Sequence, residues 1–274
     1  MKDNFNWLYI DSLLCYSIFW EVVLIVSRDH VGIPKFIQKG FSNNDTVFVF
    51  NKKKKFYTSS IANLGIENDY YDEDVETDLL ANQIEYNFSV FYKDFCNIKD
   101  PIIMKNLLDK NIKLVEQFFS FMFMRTKKVF DLVKNESLTS KVFGDFTHSD
   151  LLRIQTFLYI NPLKIIGDNY NFYPVLNLSQ IPFINNSIGF GFLTDTQSKN
   201  SIIIPLNIRI AILISCNRNF VRDNFYIITS NFDKKVDSIN KCMIITEREF
   251  GNGFFFGNNK KVIEHYATYK ENCL

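Results

Sequence analysis

The chain has 274 residues, of which 47% are hydrophobic and 22% are charged, and these values are typical of a folded globular protein. This length suits one large domain or two small ones. The formal net charge is +1, so no overall field attracts nucleic acid, acidic membranes or basic partners. A role in nucleic-acid binding would therefore require a local basic patch.

The cysteines are odd in number and far apart, and none forms a Cys-x-x-Cys pair. This pattern argues against a disulfide-stabilised scaffold and against a zinc ribbon. It fits a reducing compartment, so we expect a cytoplasmic protein in which each cysteine is a small buried hydrophobe. The cysteines are Cys15, Cys96, Cys216, Cys242 and Cys273.

Residues 1–27 form an apolar leader. Its most hydrophobic part, residues 12–26, is short for a membrane span, is preceded by Asp11 and contains Glu21. It lacks the net basic start and the small-residue cleavage site of a signal peptide. We expect a peripheral or buried segment, and a start site placed too early or a membrane anchor are the alternatives. Residues 28–274 are predicted to form a single α+β domain.

The stretch Arg28–Phe36 follows the leader directly and contains one of the three histidines, His30. Pro34 fixes its own φ and favours extended geometry at Ile33. These restrictions predict that His30 is presented rigidly. We therefore consider His30 a candidate general base or metal ligand.

A short β-rich run over residues 46–51 is followed by four consecutive lysines and then by Phe56 and Tyr57. The pattern predicts a hairpin whose turn carries the lysines. The turn is a candidate phosphate-binding loop, and a solvated turn that resists aggregation is the favoured alternative because nucleic-acid sites need a wider basic surface. The four residues are Lys52, Lys53, Lys54 and Lys55.

Helical periodicity extends over about residues 73–160. An acidic run, residues 67–78, precedes the first apolar series and suits the N-terminal end of a helix dipole, while leaving a metal site open. Asp100-Pro101 is typical of a helix start, and we expect that helix to run to Arg125.

Arg125 is predicted to share a helix face with Phe118 and Met122. A guanidinium group on an apolar face requires an anionic partner. Glu85, at the edge of the preceding apolar stripe, is the first choice for that partner.

The hydrophobic period changes after about residue 165. Short apolar runs over residues 171–215 predict strands, some of them buried on both faces. Residues 223–250 are predicted to be mainly helical, and residues 254–263 are predicted to form a terminal hairpin. The fold class expected is α+β, with a helical N-terminal half packed on a mixed or antiparallel sheet from the C-terminal half.

Several stretches together resemble a bacterial family of proteins of unknown function, the domain of unknown function 4238 family. The resemblance covers roughly residues 28–265 and rests on the order and spacing of weak motifs. Two departures stand out: an extra residue between His30 and Pro34, and the absence of an Asp and a Pro in residues 183–189. The matching residues are His30, Pro34, Phe36, Gly40, Phe41, Val47 to Lys53, Ser60 to Ala62, Asn68 to Tyr71, Ile84-Glu85, Arg125-Thr126, Pro205-Leu206 and Val236 to Asn240.

The resemblance implies no activity, and the common catalytic motifs are absent from the sequence. The candidate catalytic set is His30, Glu85 and Arg125, in which His30 acts as base, Glu85 orients it or binds a cation, and Arg125 neutralises an anionic substrate. This set favours a hydrolase acting on phosphodiesters, such as a nuclease, with nucleic acid as the partner and the cofactor open, a divalent metal included. The alternative is a non-catalytic binding or regulatory protein in which the same residues form a structural polar network.

Overall fold

The computed structural model describes residues 32–66, 71–72, 74–135, 147–158, 161–163, 169–193, 201–216, 225–229 and 233–272, and it has the predicted α+β class. Its α-helices are α1 (Lys35–Lys39), α2 (Tyr86–Asn97), α3 (Pro101–Lys110), α4 (Ile112–Met124), α5 (Lys127–Asn135), α6 (His148–Leu158), α7 (Asp233–Phe250) and α8 (Lys260–Asn272). Its strands are β1 (Thr46–Asn51), β2 (Phe56–Ser60), β3 (Asn171–Asn177), β4 (Asn185–Asn186), β5 (Gly191–Leu193), β6 (Ser201–Pro205), β7 (Ile210–Ser215), β8 (Tyr226–Ile228) and β9 (Phe254–Gly257).

A five-stranded sheet with the order β5-β6-β7-β3-β8 is built from the C-terminal half of the chain. Its neighbours pair antiparallel except β3 and β8, which are parallel, so the sheet is mixed. Every residue of β6 and β7 is buried. This burial explains their unbroken isoleucine-rich sequences, because a strand covered on both faces needs no polar alternation.

A second, four-stranded sheet with the order β2-β1-β9-β4 joins strands from the two ends of the described chain. Strand β9 lies between β1 and β4, and Asn51 of β1 is opposite Phe254 of β9. The prediction of a terminal hairpin over residues 254–263 is therefore wrong. Residues from Lys260 onward form α8, because Asn259 accepts a hydrogen bond from the backbone of Val262 and caps the helix.

Two further helix predictions need correction. The helix expected from Asp100 to Arg125 is two helices, α3 and α4, separated at Asn111, whose φ of −118° and ψ of 18° are not helical. Asp100 caps α3 as predicted, since its side chain accepts hydrogen bonds from the backbone of Ile102 and Ile103. The segment 223–250 contains strand β8 before α7, because Tyr226 to Ile228 add to the edge of the larger sheet.

The helical half is packed through aromatic side chains. The rings of Phe88 on α2 and Phe118 on α4 are stacked with centroids 3.7 Å apart, and Phe36 of α1 lies beside both. Such contacts combine a large buried apolar area with a preferred ring geometry. They fix α4, and hence Arg125, the residue that follows its end, against α2.

A π-helix, Val75–Glu85, leads directly into α2. At their junction the backbone N–H of Tyr86 donates to the carbonyl of Ala81, five residues back. π-helical geometry is rare and occurs frequently at functional sites. Glu85 is its last residue.

Candidate functional site

Arg125 and Glu85 form an ion pair, as the sequence predicts. Arg125 Nη1 lies 2.9 Å from Glu85 Oε1, and Arg125 Nε donates to the Tyr71 hydroxyl at 3.0 Å. The guanidinium carbon also lies 5.3 Å from the centre of the Tyr71 ring. The Arg125 side chain is 3% exposed and that of Glu85 is 24% exposed, so the pair is closed on one side and reached by solvent on the other.

The environment of Arg125 explains why this pair forms. Phe118 and Met122, on the same face of α4, are both buried, as predicted. A buried guanidinium is stable only with its charge and its donors satisfied, and Glu85 and Tyr71 supply both needs. The pair thus ties the π-helix and the segment at Tyr71 to the end of α4.

His30 lies outside the described residues, so the convergence of His30 with Glu85 and Arg125 stays a prediction. Gly32, two positions after His30 in the sequence, has a φ of +106°. A Cβ at Gly32 would lie 2.0 Å from the carbonyl oxygen of Ser187. Only glycine permits this approach, so the chain at Gly32 and Ile33 is fixed against residues 187–189.

The turn between β1 and β2 presents the four predicted lysines to solvent. Two backbone hydrogen bonds close it, from Lys54 N to Asn51 O and from Asn51 N to Lys55 O. The side-chain oxygen of Asn51 accepts from the backbone of Lys53 at 3.0 Å and of Lys55 at 3.1 Å. Lys54 has a φ of +57°, a left-handed conformation that glycine or asparagine adopts more readily. The turn is therefore rigid and carries a lysine at a strained position.

Two more exposed lysines, Lys260 and Lys261, lie at the start of α8 beside this hairpin. Lys260 Nζ lies 5.6 Å from the centre of the Phe56 ring, and its charge is partly balanced by Glu264 at 3.7 Å. The sequence gives no sign of this proximity, because it depends on the pairing of β9 with β1. We call Lys52 to Lys55, Lys260 and Lys261 the lysine patch.

The structure brings together only part of the predicted site. Glu85 and Arg125 are in contact, whereas the lysines lie on a separate hairpin. Within the described ranges no hydrogen bond or ion pair joins that hairpin to the Glu85–Arg125 pair. The same ranges contain no group of three His, Cys, Asp or Glu side chains arranged to hold a metal ion.

Sequence reasoning missed Glu247 on α7, a fully buried carboxylate. Its two oxygens accept hydrogen bonds from Ser187, through both backbone and hydroxyl, and from the backbone of Gly253 and Phe254. Burial raises the pKa of Glu247 to about 7, and these hydrogen bonds oppose the increase. A Cβ on Gly251 would lie 2.2 Å from the carboxylate, so this position needs glycine. We call Glu247, Ser187 and residues 251–254 the carboxylate clasp.

Residues 183–189 form part of the core. Asn186 is fully buried, and its side chain donates to the carbonyls of Phe190 and Met243 and accepts from the backbone of Gly189. Ile184 is held by Asn240 in the same way. Each buried amide is satisfied by backbone groups, so this segment positions strands and helices.

A cleft of about 440 Å³ lies between α7 and α8. Its lining includes Asp233, Asp237, Lys261 and His265. Asp237 already accepts from the Tyr266 hydroxyl and pairs with Lys241. Charges of both signs face this cleft, so it lacks the single sign of potential that would select an ionic ligand.

The chain was compared with known families and structures. A family described as protein of unknown function, DUF4238, matches residues 28–194. The chain belongs to this family. No curated protein and no solved structure matches it. Across the described residues, no helix is long and apolar enough to cross a membrane.

The DUF4238 match contains some of the candidate residues and excludes others. Glu85, Arg125 and the lysines of the β1–β2 turn lie inside it, whereas Glu247 and Lys260 lie beyond its end. The matched part of this DUF4238 protein therefore includes the buried ion pair. The carboxylate clasp and the lysine patch are completed by the part of the chain that follows.

Proposed function

We propose that this DUF4238 protein binds single-stranded nucleic acid at the lysine patch. The observation that carries the proposal is the rigid turn of four exposed lysines, in which Lys54 is held at a φ of +57°. Backbone strain persists where the surrounding structure imposes it, and it occurs preferentially at functional sites. A glycine at position 54 would adopt this φ without strain, so a lysine there carries a cost in stability.

The width of the basic surface supports the proposal. A four-lysine turn alone is a narrow contact, but Lys260 and Lys261 extend it across the neighbouring start of α8. Each lysine that neutralises a phosphate releases condensed counterions, and this release drives binding at low salt. Because the net charge of the chain is only +1, we expect nucleic acid to be attracted by this patch and not by the molecule as a whole.

Aromatic side chains in the hairpin favour a single strand over a duplex. Tyr57 follows the lysines on β2 and is 40% exposed. The half-buried ring of Phe56 lies beneath Lys260 and is stacked on the half-buried ring of Phe48. Unpaired bases stack on such rings, whereas the bases of a duplex are already stacked on each other. Lysine and aromatic groups together therefore suit a strand with accessible bases.

The test is fluorescence anisotropy with a labelled oligothymidylate of about 20 nucleotides. Replacing Lys52 to Lys55 by Gln should weaken binding and reduce the slope of log affinity against log salt by up to about 3. The matched control carries four Lys→Gln changes at exposed positions in α2, α3 and α4 and in the loop between α2 and α3, and it should bind like wild type. Equal affinities for the two variants would contradict the proposal. The control positions are Lys93, Lys99, Lys110 and Lys113.

A hydrolase acting on phosphodiesters is the second candidate, and the position of Glu85 favours it. Glu85 ends a rare π-helix and remains 24% exposed beside the buried Arg125. In such a hydrolase, Glu85 would activate or orient the nucleophile, and Arg125 would stabilise the charge that develops on phosphate. The purely structural alternative assigns both residues to a polar network, because the guanidinium already donates to Glu85 and Tyr71.

Incubation of the protein with the same oligonucleotide and Mg²⁺ or Mn²⁺ distinguishes the hydrolase from the non-catalytic protein. Hydrolysis that Glu85→Gln abolishes, with binding affinity retained, would support the hydrolase. Binding by wild type without strand cleavage would support the non-catalytic protein. We further propose that the protein acts in the cytoplasm, because its cysteines are odd in number and far apart and none forms a Cys-x-x-Cys pair.

A further inference from the structure

We propose that Glu247 is the positioning residue of the lysine patch, and that its ionised form holds the patch in its binding geometry, so that affinity for nucleic acid increases with pH. This inference rests on the proposed function. It assigns that site a means of regulation that the lysines themselves lack.

The geometry of the carboxylate clasp is the first support. Every hydrogen-bonding partner of the Glu247 carboxylate is a donor: the backbone and hydroxyl of Ser187, each at 2.8 Å, Phe254 N at 2.9 Å, and Gly253 N. The Ser187 hydroxyl in turn accepts from the backbone of Asn252 at 2.7 Å. One buried carboxylate therefore organises the whole turn between α7 and β9.

That turn is in direct contact with the lysine patch. Gly253 has a φ of +99°, and a Cβ there would lie 2.7 Å from Cδ of Lys52, so the aliphatic part of Lys52 rests on the Gly253 backbone. The next residue, Phe254, pairs with Asn51. Asn51 is the residue whose side chain fixes the backbone of Lys53 and Lys55. Displacement of residues 253–254 would thus be transmitted to both sides of the lysine turn.

Protonation of Glu247 disturbs the carboxylate clasp because the added proton turns one of its two acceptor oxygens into a donor. A carboxylate only accepts hydrogen bonds, whereas a neutral carboxyl group presents an O–H at a point where four donor groups converge. At least one donor then loses its acceptor inside the core, and the turn must shift to satisfy it. Burial raises the pKa of Glu247 to about 7, so the change falls close to neutral pH.

Other charged groups surround the clasp without pairing with its carboxylate. Arg248 and Glu249 are the neighbours of Glu247 on α7. Lys127, Lys128 and Asp131 line a cleft with Phe250 and Gly251, on the side of α5. Lys52 lies beyond Gly253. None of them forms a hydrogen bond or an ion pair with Glu247 in the described part of the chain, so its ionisation acts through Ser187 and the backbone.

Two effects of opposite sign make the inference testable. Because the folded protein holds the proton of Glu247 more tightly than the unfolded chain does, global stability decreases as pH rises toward 7. The affinity for nucleic acid is expected to increase over the same range, because ionisation completes the clasp. If Glu247 only stabilised the fold, the affinity for nucleic acid would decrease with increasing pH, as the stability does.

The experiment measures anisotropy of the labelled oligothymidylate at constant ionic strength from about pH 6 to about pH 8, with the full chain of the wild type and of Glu247→Gln. The wild type should bind about five-fold or more tightly at the upper end, a factor typical of coupling between sites. Glu247→Gln has the same shape and a neutral amide, so it should bind weakly and without that pH dependence. His265→Gln controls for the exposed histidine near Lys261 and should retain the wild-type profile.

Three results would overturn the inference. The first is a wild-type affinity that stays constant or decreases as pH rises. The second is a Glu247→Gln variant whose affinity depends on pH as that of the wild type does. If either occurs while the Lys52–Lys55 variant still loses binding, the inference fails and the proposed function stands. The third is a wild type that does not bind the oligonucleotide, in which case both the inference and the proposed function fail. Circular dichroism of Glu247→Gln at each pH establishes that the variant is folded when its affinity is measured.

Discussion

Among the described residues, the carboxylates of Glu85 and Glu247 have their charge satisfied in different ways. Glu85 is paired with a cation, the buried guanidinium of Arg125, and remains partly exposed. Glu247 is completely buried and is held only by neutral donors, two from Ser187 and two from backbone N–H groups. The Glu85 site therefore depends on its partner side chain, whereas the Glu247 site depends on the backbone around it and on pH.

The largest expected effect comes from Arg125→Ala. The change removes the buried cation that pairs with Glu85 and donates to the Tyr71 hydroxyl, so we expect a loss of about 3–5 kcal/mol in the free energy of unfolding. Urea denaturation measures it. Arg153→Ala is the matched control, because Arg153 bridges Asp72 and Asp74 on the surface with a side chain 42% exposed. Exposed pairs contribute about 0–1 kcal/mol, and similar losses for both variants would mean that the Arg125 pair is not effectively buried.

A smaller effect is expected from pH. The pKa of Glu247 is raised from 4.5 to about 7 in the folded protein, so the folded state binds more protons than the unfolded state between these values. Stability should therefore decrease by about 2–3 kcal/mol as pH rises from about 4.5 to about 7, and this contribution should be constant above that range. Denaturation of wild type and Glu247→Gln at matched pH values isolates it. A difference between the two proteins that does not change with pH would contradict the assignment.

The smallest of the three effects is a backbone substitution in the clasp. A Cβ in Gly251→Ala would lie 2.2 Å from the Glu247 carboxylate, which its hydrogen bonds prevent from moving away. We expect a loss of about 1–2 kcal/mol from this overpacking. Gly257→Ala is the control, because its Cβ would meet only the side-chain ends of Ile263 and Ile184, at 3.3 Å or more. Thermal unfolding compares them, and equal melting temperatures would show that the clasp tolerates displacement.

The two sites also differ in how visible they are in the sequence. Arg125 follows Phe118 and Met122 at helical spacing, so the spacing alone indicates a charge on an apolar face and therefore a buried pair. Glu247 lies in a run of charged residues, Glu247-Arg248-Glu249, that is typical of a solvated helix face. Its donors come from Ser187 and from the backbone of residues 253–254, and backbone groups leave no trace in residue types.

The fold shows the same division between local and distant information. The change of hydrophobic period predicts the α+β class and the buried strands β6 and β7, because each signal lies within one segment. The terminal hairpin is mispredicted because β9 pairs with β1 and β4, which lie far away in the chain. The position of Lys260 beside Phe56 follows from that pairing, so the sequence does not reveal the full extent of the lysine patch either.

The pairing in the four-stranded sheet determines when the lysine patch can form during synthesis. Asn51 and Phe254 pair although they are about two hundred residues apart, and contacts of such separation form late because a long loop must close first. During synthesis the β1–β2 hairpin emerges from the ribosome long before β9 and α8 exist. Its lysines therefore remain without the clasp and without Lys260 until residues 247–260 have been translated. A nascent or truncated chain that ends before residue 254 should therefore lack the full lysine patch, the surface that we propose binds nucleic acid.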